Sequence, residues 1–193
     1  MEEMQTSSSE GMLAPSNWLK QRFEKESKKD VIPMAERFGQ IIGIVFIGIF
    51  IAYFAAHLSS NMGFFRPNFG AFEAVLFFGI GMYGILPAMM KFIFGRKNRV
   101  RPFDFMGNVL MLFAMIFFLA IWPFDFAHIA DALASDLQFI VSWLSDQFMQ
   151  ILLIIGIPIL VFVTVLELLT YFGVKEILGK AGPQPAIEPL LPK

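Results

Sequence analysis

The chain has no cysteine, which excludes disulfides, thiolate metal sites and cysteine nucleophiles together. Charge is scarce too: Asp, Glu, Lys and Arg make up 16% of 193 residues, too little to cover a soluble domain of this length. In its place stand 24 Phe, a 56% share of hydrophobic residues and a mean hydropathy of +0.65. This is the composition of an integral membrane protein. Ser-His-Asp order, a phosphate-binding loop and paired-carboxylate spacing are all missing, so nothing in the pattern points to catalysis. No internal repeat is detectable, which leaves an inverted-repeat transporter without support. A cleavable leader is not expected either, because the first apolar run begins near Ile41 and is too long for a signal core; it reads as a retained anchor.

What is present is organised around Lys91 to Arg101, KFIFGRKNRVR, which sets five cations between two long apolar runs. Four runs, at about 41–58, 71–94, 103–122 and 148–172, are each long enough to cross a bilayer. The fold class predicted is an all-α integral membrane protein with four transmembrane helices. If all four cross, 1–40, 91–101 and 173–193 share one side, and every one of the 15 Lys and Arg residues except Arg66 lies there. Cations in short loops favour the cytoplasmic side, so both termini are predicted to be cytoplasmic in a multi-pass plasma-membrane protein.

Residues 1–15 are polar and without period and are expected to be a disordered tail. A juxtamembrane segment, 16–32, sets Trp18, Leu19 and Phe23 against Lys20, Lys25, Lys28 and Lys29, as a helix at a membrane surface or a solvated helix would. The membrane domain then spans 33–173, with Gly173 as the expected C-cap, and 174–193 form a cytoplasmic tail. Between the third and fourth runs, Ile129, Leu133, Leu137, Ile140 and Leu144 recur at helical steps, opposite Asp131, Ser135, Gln138, Ser142 and Ser145. That spacing predicts an amphipathic helix over 127–147 on the outer face. Its polar side carries no cation, which favours a protein surface or a water-filled cavity over anionic lipid.

Two stripes of small residues, Gly48/Ala52/Ala55 and Ala74/Gly81/Gly84/Ala88, would let helices approach closely where lipid supplies no hydrophobic drive. Gly79, Gly81 and Gly84 also spell G-x-G-x-x-G ahead of Asp104, but they lie inside an apolar run without a preceding strand, so a dinucleotide site is rejected. His57, His128 and Asp131 fall at one membrane face and are candidate ligands for a divalent metal, the only cofactor the sequence allows for. Asn108 and Glu167 are the polar residues set inside spans, suited to interhelical pairing or to an ion path.

These features favour a non-catalytic integral subunit, scaffold or assembly factor of a larger membrane complex, with lipid and other membrane subunits as partners and no nucleic acid. A homo-oligomeric channel or small-solute carrier using Glu167 and Asn108 is the alternative, and a metal-dependent membrane enzyme using the two histidines is the third. The topology has a direct check: single cysteines at Ser60 and Asp131 are expected to react with an impermeant maleimide from outside, and Lys97→Cys is not. The reverse labelling pattern contradicts it.

Overall fold

Hydrocarbon offers no partner to a backbone amide, so a chain this apolar is driven to helices that satisfy their own hydrogen bonds. The computed structural model, which describes residues 14–180, is all-helical. Five helices run in order: α1 (Ala14–Lys28), α2 (Met34–Ser59), α3 (Ala71–Phe94), α4 (Lys97–Ile121) and α5 (Asp146–Lys180). The last four are long and apolar enough to cross a membrane. Contacts join α2 to α3, α3 to α4 and α4 to α5, and α1 folds back onto α5. At most 11% of the most apolar stretch of any span is buried, so Phe46, Ile49, Val75 and Phe162 point outward, as expected of helices solvated by lipid. The parts expected at 1–13 and 181–193 lie outside the described residues.

Several boundaries differ from the sequence reading, each for a local reason. The basic segment is not a loop. Lys91 belongs to α3, Lys97 to Arg101 open α4, and only Gly95 and Arg96 lie between the helices. Gly95 caps α3 at φ +59, a left-handed conformation in which a side chain is strained. The opening amides of α4 then find acceptors on Asp30: Lys97 N donates to its carbonyl at 2.8 Å and Asn98 N to its Oδ1 at 2.9 Å. Gly173 is not a C-cap either, because α5 continues to Lys180. With 35 residues it is about 50 Å long, well beyond a hydrocarbon core of about 30 Å. Its surplus turns form the seat for α1, with Phe23 lying over Gly173 and Val174 buried.

Charge fastens α1 in that seat. Glu26 accepts hydrogen bonds from Arg101 at 2.5 Å and Lys97 at 3.2 Å, and Arg96 approaches Asp30 at 3.8 Å. Burial alone would raise the pKa of Glu26, but the bonds from Arg101 and Lys97 outweigh it and hold the carboxyl below its ordinary value. A depressed carboxylate stabilises the fold above its unfolded pKa, and the contribution is lost as pH falls through the lowered value. The segment thus docks on α4 and α5.

The small-residue stripes are used unequally within the chain. A methyl on Gly81 or Gly84 would sit 3.4 Å from Ile51 or Ile47, so this face of α3 packs on α2. Ala74 and Ala88 are half-buried, as the two glycines are, and the fully buried residue of α3 is Pro87. At about 100° per residue Ala88 projects between Gly81 and Gly84, on the same face of the helix. Among the described residues Gly48 has nothing within 4 Å and Ala52 and Ala55 are exposed, so their face of α2 is left uncovered by them.

Three glycine substitutions separate these environments. Gly95→Ala forces a left-handed alanine, at a cost of about 1–2 kcal/mol, and pushes into the Arg37 guanidinium that lies over it. Gly173→Ala drives a methyl into the Phe23 ring, whereas Gly48→Ala meets open space. Thermal midpoints in mild detergent should fall for the first two and hold or rise for Gly48→Ala; equal midpoints contradict the packing described.

Candidate functional site

The buried core is concentrated at one end of the bundle, opposite the α1 seat, and is mostly aromatic. Phe54 of α2, Phe118 of α4 and Phe64, Trp122, Phe124 and Phe126 of the connecting segments gather there, with Phe77 of α3 packed against them. Ring pairs such as Phe64–Phe126 and Phe54–Phe77 meet edge to face at centroid separations of 5.2 Å. Such contacts add about 0.5–1.5 kcal/mol beyond area burial. Trp122 starts the closure by taking a left-handed conformation, φ +37, at the end of α4. A bulky residue rarely adopts it.

From Trp122 the chain folds inward as a lid over the bundle end. Arg66 N donates to Pro123 O and Asp125 N to Phe64 O, clipping the α2–α3 connection to the segment after α4. Asp146, the first residue of α5, accepts from Phe126 N at 2.8 Å and from Arg66 at 2.5 Å. The amphipathic helix expected over 127–147 is not formed as one helix. Two short 3-10 turns, Phe126–His128 and Ser135–Ile140, take its place. The reason lies at Ile129, whose carbonyl accepts from Tyr53 and from His57, both on α2. With that acceptor engaged, Leu133 N bonds instead to Ala130 O, and Ala134 turns extended at ψ 146°. Leu137 and Ile140 are consequently exposed on the lid instead of lining a docked helical face, and Phe139 and Trp143 are exposed beside them.

The candidate metal ligands are divided by this arrangement. His57 is 1% exposed, and because a carbonyl can only accept, its Nε2 must carry the hydrogen given to Ile129 O at 3.1 Å. His57 Nδ1 is buried without a partner among the described residues. His128 Nδ1 and Asp131 Oδ2 pair with each other at 2.8 Å on the lid surface, each roughly half exposed. Among the described residues no three His, Asp or Glu side chains gather as a metal site would require. Glu73 and Asp125, at the same end, accept from the backbone amides of Gly70 and Ala127.

Toward the other end, Asn108 Nδ2 donates to Glu167 Oε2 at 2.6 Å, joining α4 to α5 inside the spans. One turn away on α4, Asp104 pairs with Lys91 of α3 at 2.8 Å. Thr164 and Thr170 do not join this group; each hydroxyl donates to the carbonyl four residues back in α5.

Under the lid lies a cavity of about 380 Å³ bounded by all four spans, within the range of about 300–1,000 Å³ that ligand pockets occupy. Sequence reading missed it. Phe54, Phe118 and Trp122 were legible only as apolar members of spans, and a cavity depends on how two connections fold together over the bundle end. The fold and this site define a class: a multi-pass, all-helical membrane protein with one end closed by an aromatic lid. No family model, curated protein or solved structure matches the chain.

The lid carries its own pH signature. The hydrogen bond to Asp131 is the main cause that raises the pKa of His128 above its ordinary 6.5. A raised imidazole pKa contributes its stability below the unfolded value and loses it as pH climbs through the folded one. An NMR titration should place the His128 midpoint above 6.5, and Asp131→Asn should bring it back down. A midpoint unchanged by Asp131→Asn contradicts the pairing.

Proposed function

We propose that this chain is a non-catalytic integral subunit or scaffold of a larger membrane protein complex, set in a plasma membrane with both termini cytoplasmic. The observation that carries it is the uncovered stripe of α2. Gly48, Ala52 and Ala55 would let another helix approach closely, yet none of the described helices turns toward Gly48. Lipid gains nothing from a small-residue face, while a neighbouring subunit does. The ionisable groups support the same reading, for Glu26, Asp30, Asp104, Asp146 and Glu167 are all engaged in links between segments of the chain. Segregation of Lys and Arg to the α1 end supports the cytoplasmic placement of that end.

A homo-oligomeric channel or carrier is the second reading, favoured by one observation: Asn108 and Glu167 form a polar contact inside the spans. Purification from the native membrane in mild detergent separates the two. The subunit reading expects different chains in fixed stoichiometry, and expects Gly48→Leu to release them while leaving the thermal midpoint unchanged. A ring of identical chains, or a lone monomer that moves a solute in reconstituted vesicles, contradicts it.

A further inference from the structure

The cavity under the lid has a definite chemistry. Eight of its 17 lining residues are aromatic and three are Met. No ionisable side chain lines it, and the only polar side-chain atom among its lining residues is the indole nitrogen of Trp122. That residue is 9% exposed, and its Nε1–H is buried with no acceptor among the described residues. A buried donor left unpaired costs about 1–3 kcal/mol, and here it belongs to a tryptophan held in an unfavourable left-handed backbone. Phe124 and Phe126 close the cavity beneath the lid. Its other margin includes Phe50 of α2 and Met111 of α4, which are 46% and 43% exposed on the outer faces of the spans. Access is therefore from the side, out of the bilayer.

These features select a ligand. It must be soluble in hydrocarbon, because its route and its walls are apolar. It must be uncharged, because no Lys or Arg lines the cavity to balance a carboxylate or phosphate and burying an unpaired charge is prohibitive. One acceptor oxygen must reach an N–H donor. Flat π surfaces are favoured over saturated chains, since rings offer edge and face contacts to other rings and methionine sulfur contacts them well. We propose that the cavity is a binding site for a flat, neutral, membrane-soluble carbonyl compound of the quinone class, with a ligand oxygen accepting from Trp122 Nε1–H. Binding, not turnover, is what the geometry supports. The site is separate from the α2 stripe and stands whether or not that stripe meets a partner subunit.

The full chain in lipid nanodiscs is to be equilibrated with 2-methyl-1,4-naphthoquinone and, in parallel, with 2-methylnaphthalene, which keeps the flat rings but has no oxygen. Bound ligand is read by absorbance after separation from free ligand, with empty nanodiscs subtracted. The proposal expects saturable binding near one quinone per chain, several-fold tighter than the hydrocarbon. Trp122→Phe, which keeps an aromatic ring and removes the donor, should weaken the quinone by about 3–10-fold and leave the hydrocarbon within about twofold. Ala114→Leu, which fills the cavity floor, should abolish both. Should Ala114→Leu fail to fold, the Trp122→Phe comparison decides alone. Absence of saturable quinone binding overturns the proposal. So does equal binding of the two probes unaffected by Trp122→Phe, which would mark an unspecific hydrocarbon pocket.

Discussion

The structure depends on one constraint: inside hydrocarbon a polar group must find its partner within the protein. The chain meets it by clearing charge from the middle of its spans and concentrating it at two ends, where it becomes fastening. At one end Glu26 and Asp30 take up Lys97, Arg101 and two backbone amides of α4, so the cationic segment becomes the clamp that holds α1 in its seat on α5. At the other, Asp146 and the Ile129 carbonyl gather donors from three segments and hold the lid down. Between them, the Asn108–Glu167 and Lys91–Asp104 pairs and the bond from the Tyr83 hydroxyl to the Phe103 carbonyl link spans through polar groups.

The two ends are built by different forces. Ion pairs dominate where α1 docks, in a region that stays near water and whose pairs respond to pH. Aromatic packing dominates under the lid, where Phe54, Phe64, Phe77, Phe118, Phe124 and Phe126 meet around Trp122. Large rings that do not interdigitate fully under the lid leave space, and that space is the cavity. The outward-facing apolar surface of the spans and the uncovered Gly48 face are consequences of the same economy, since packing between helices in lipid rests on shape and hydrogen bonds.

The four spans were legible in the sequence because a run of 20 apolar residues has few alternatives. Asn108 and Glu167 were legible as polar exceptions in such runs, and the structure brings them together. Reading failed where long-range pairing competes with local pattern. The steps of Ile129, Leu133, Leu137 and Ile140 are helical, yet the Ile129 carbonyl is claimed by Tyr53 and His57, more than seventy residues earlier. Lys91 to Arg101 looked like a loop because its acceptors, Glu26 and Asp30, belong to a distant segment. Gly173 looked like a helix end, although a glycine inside a helix also makes room for a ring, here Phe23.

The central claim is that the cationic segment is a docking platform and not a surface loop. The first amides of a helix have no partner within it, so those of Lys97 and Asn98 would exchange with solvent freely unless another segment covers them. Residue-resolved hydrogen exchange of the full chain in nanodiscs measures this directly. Both amides are expected to be protected, and Asp30→Ala should release Asn98, whose acceptor is the Asp30 carboxylate, far more than Lys97, whose acceptor is the Asp30 backbone carbonyl. Free exchange at both positions in the unaltered chain would contradict the platform and with it the docking of α1.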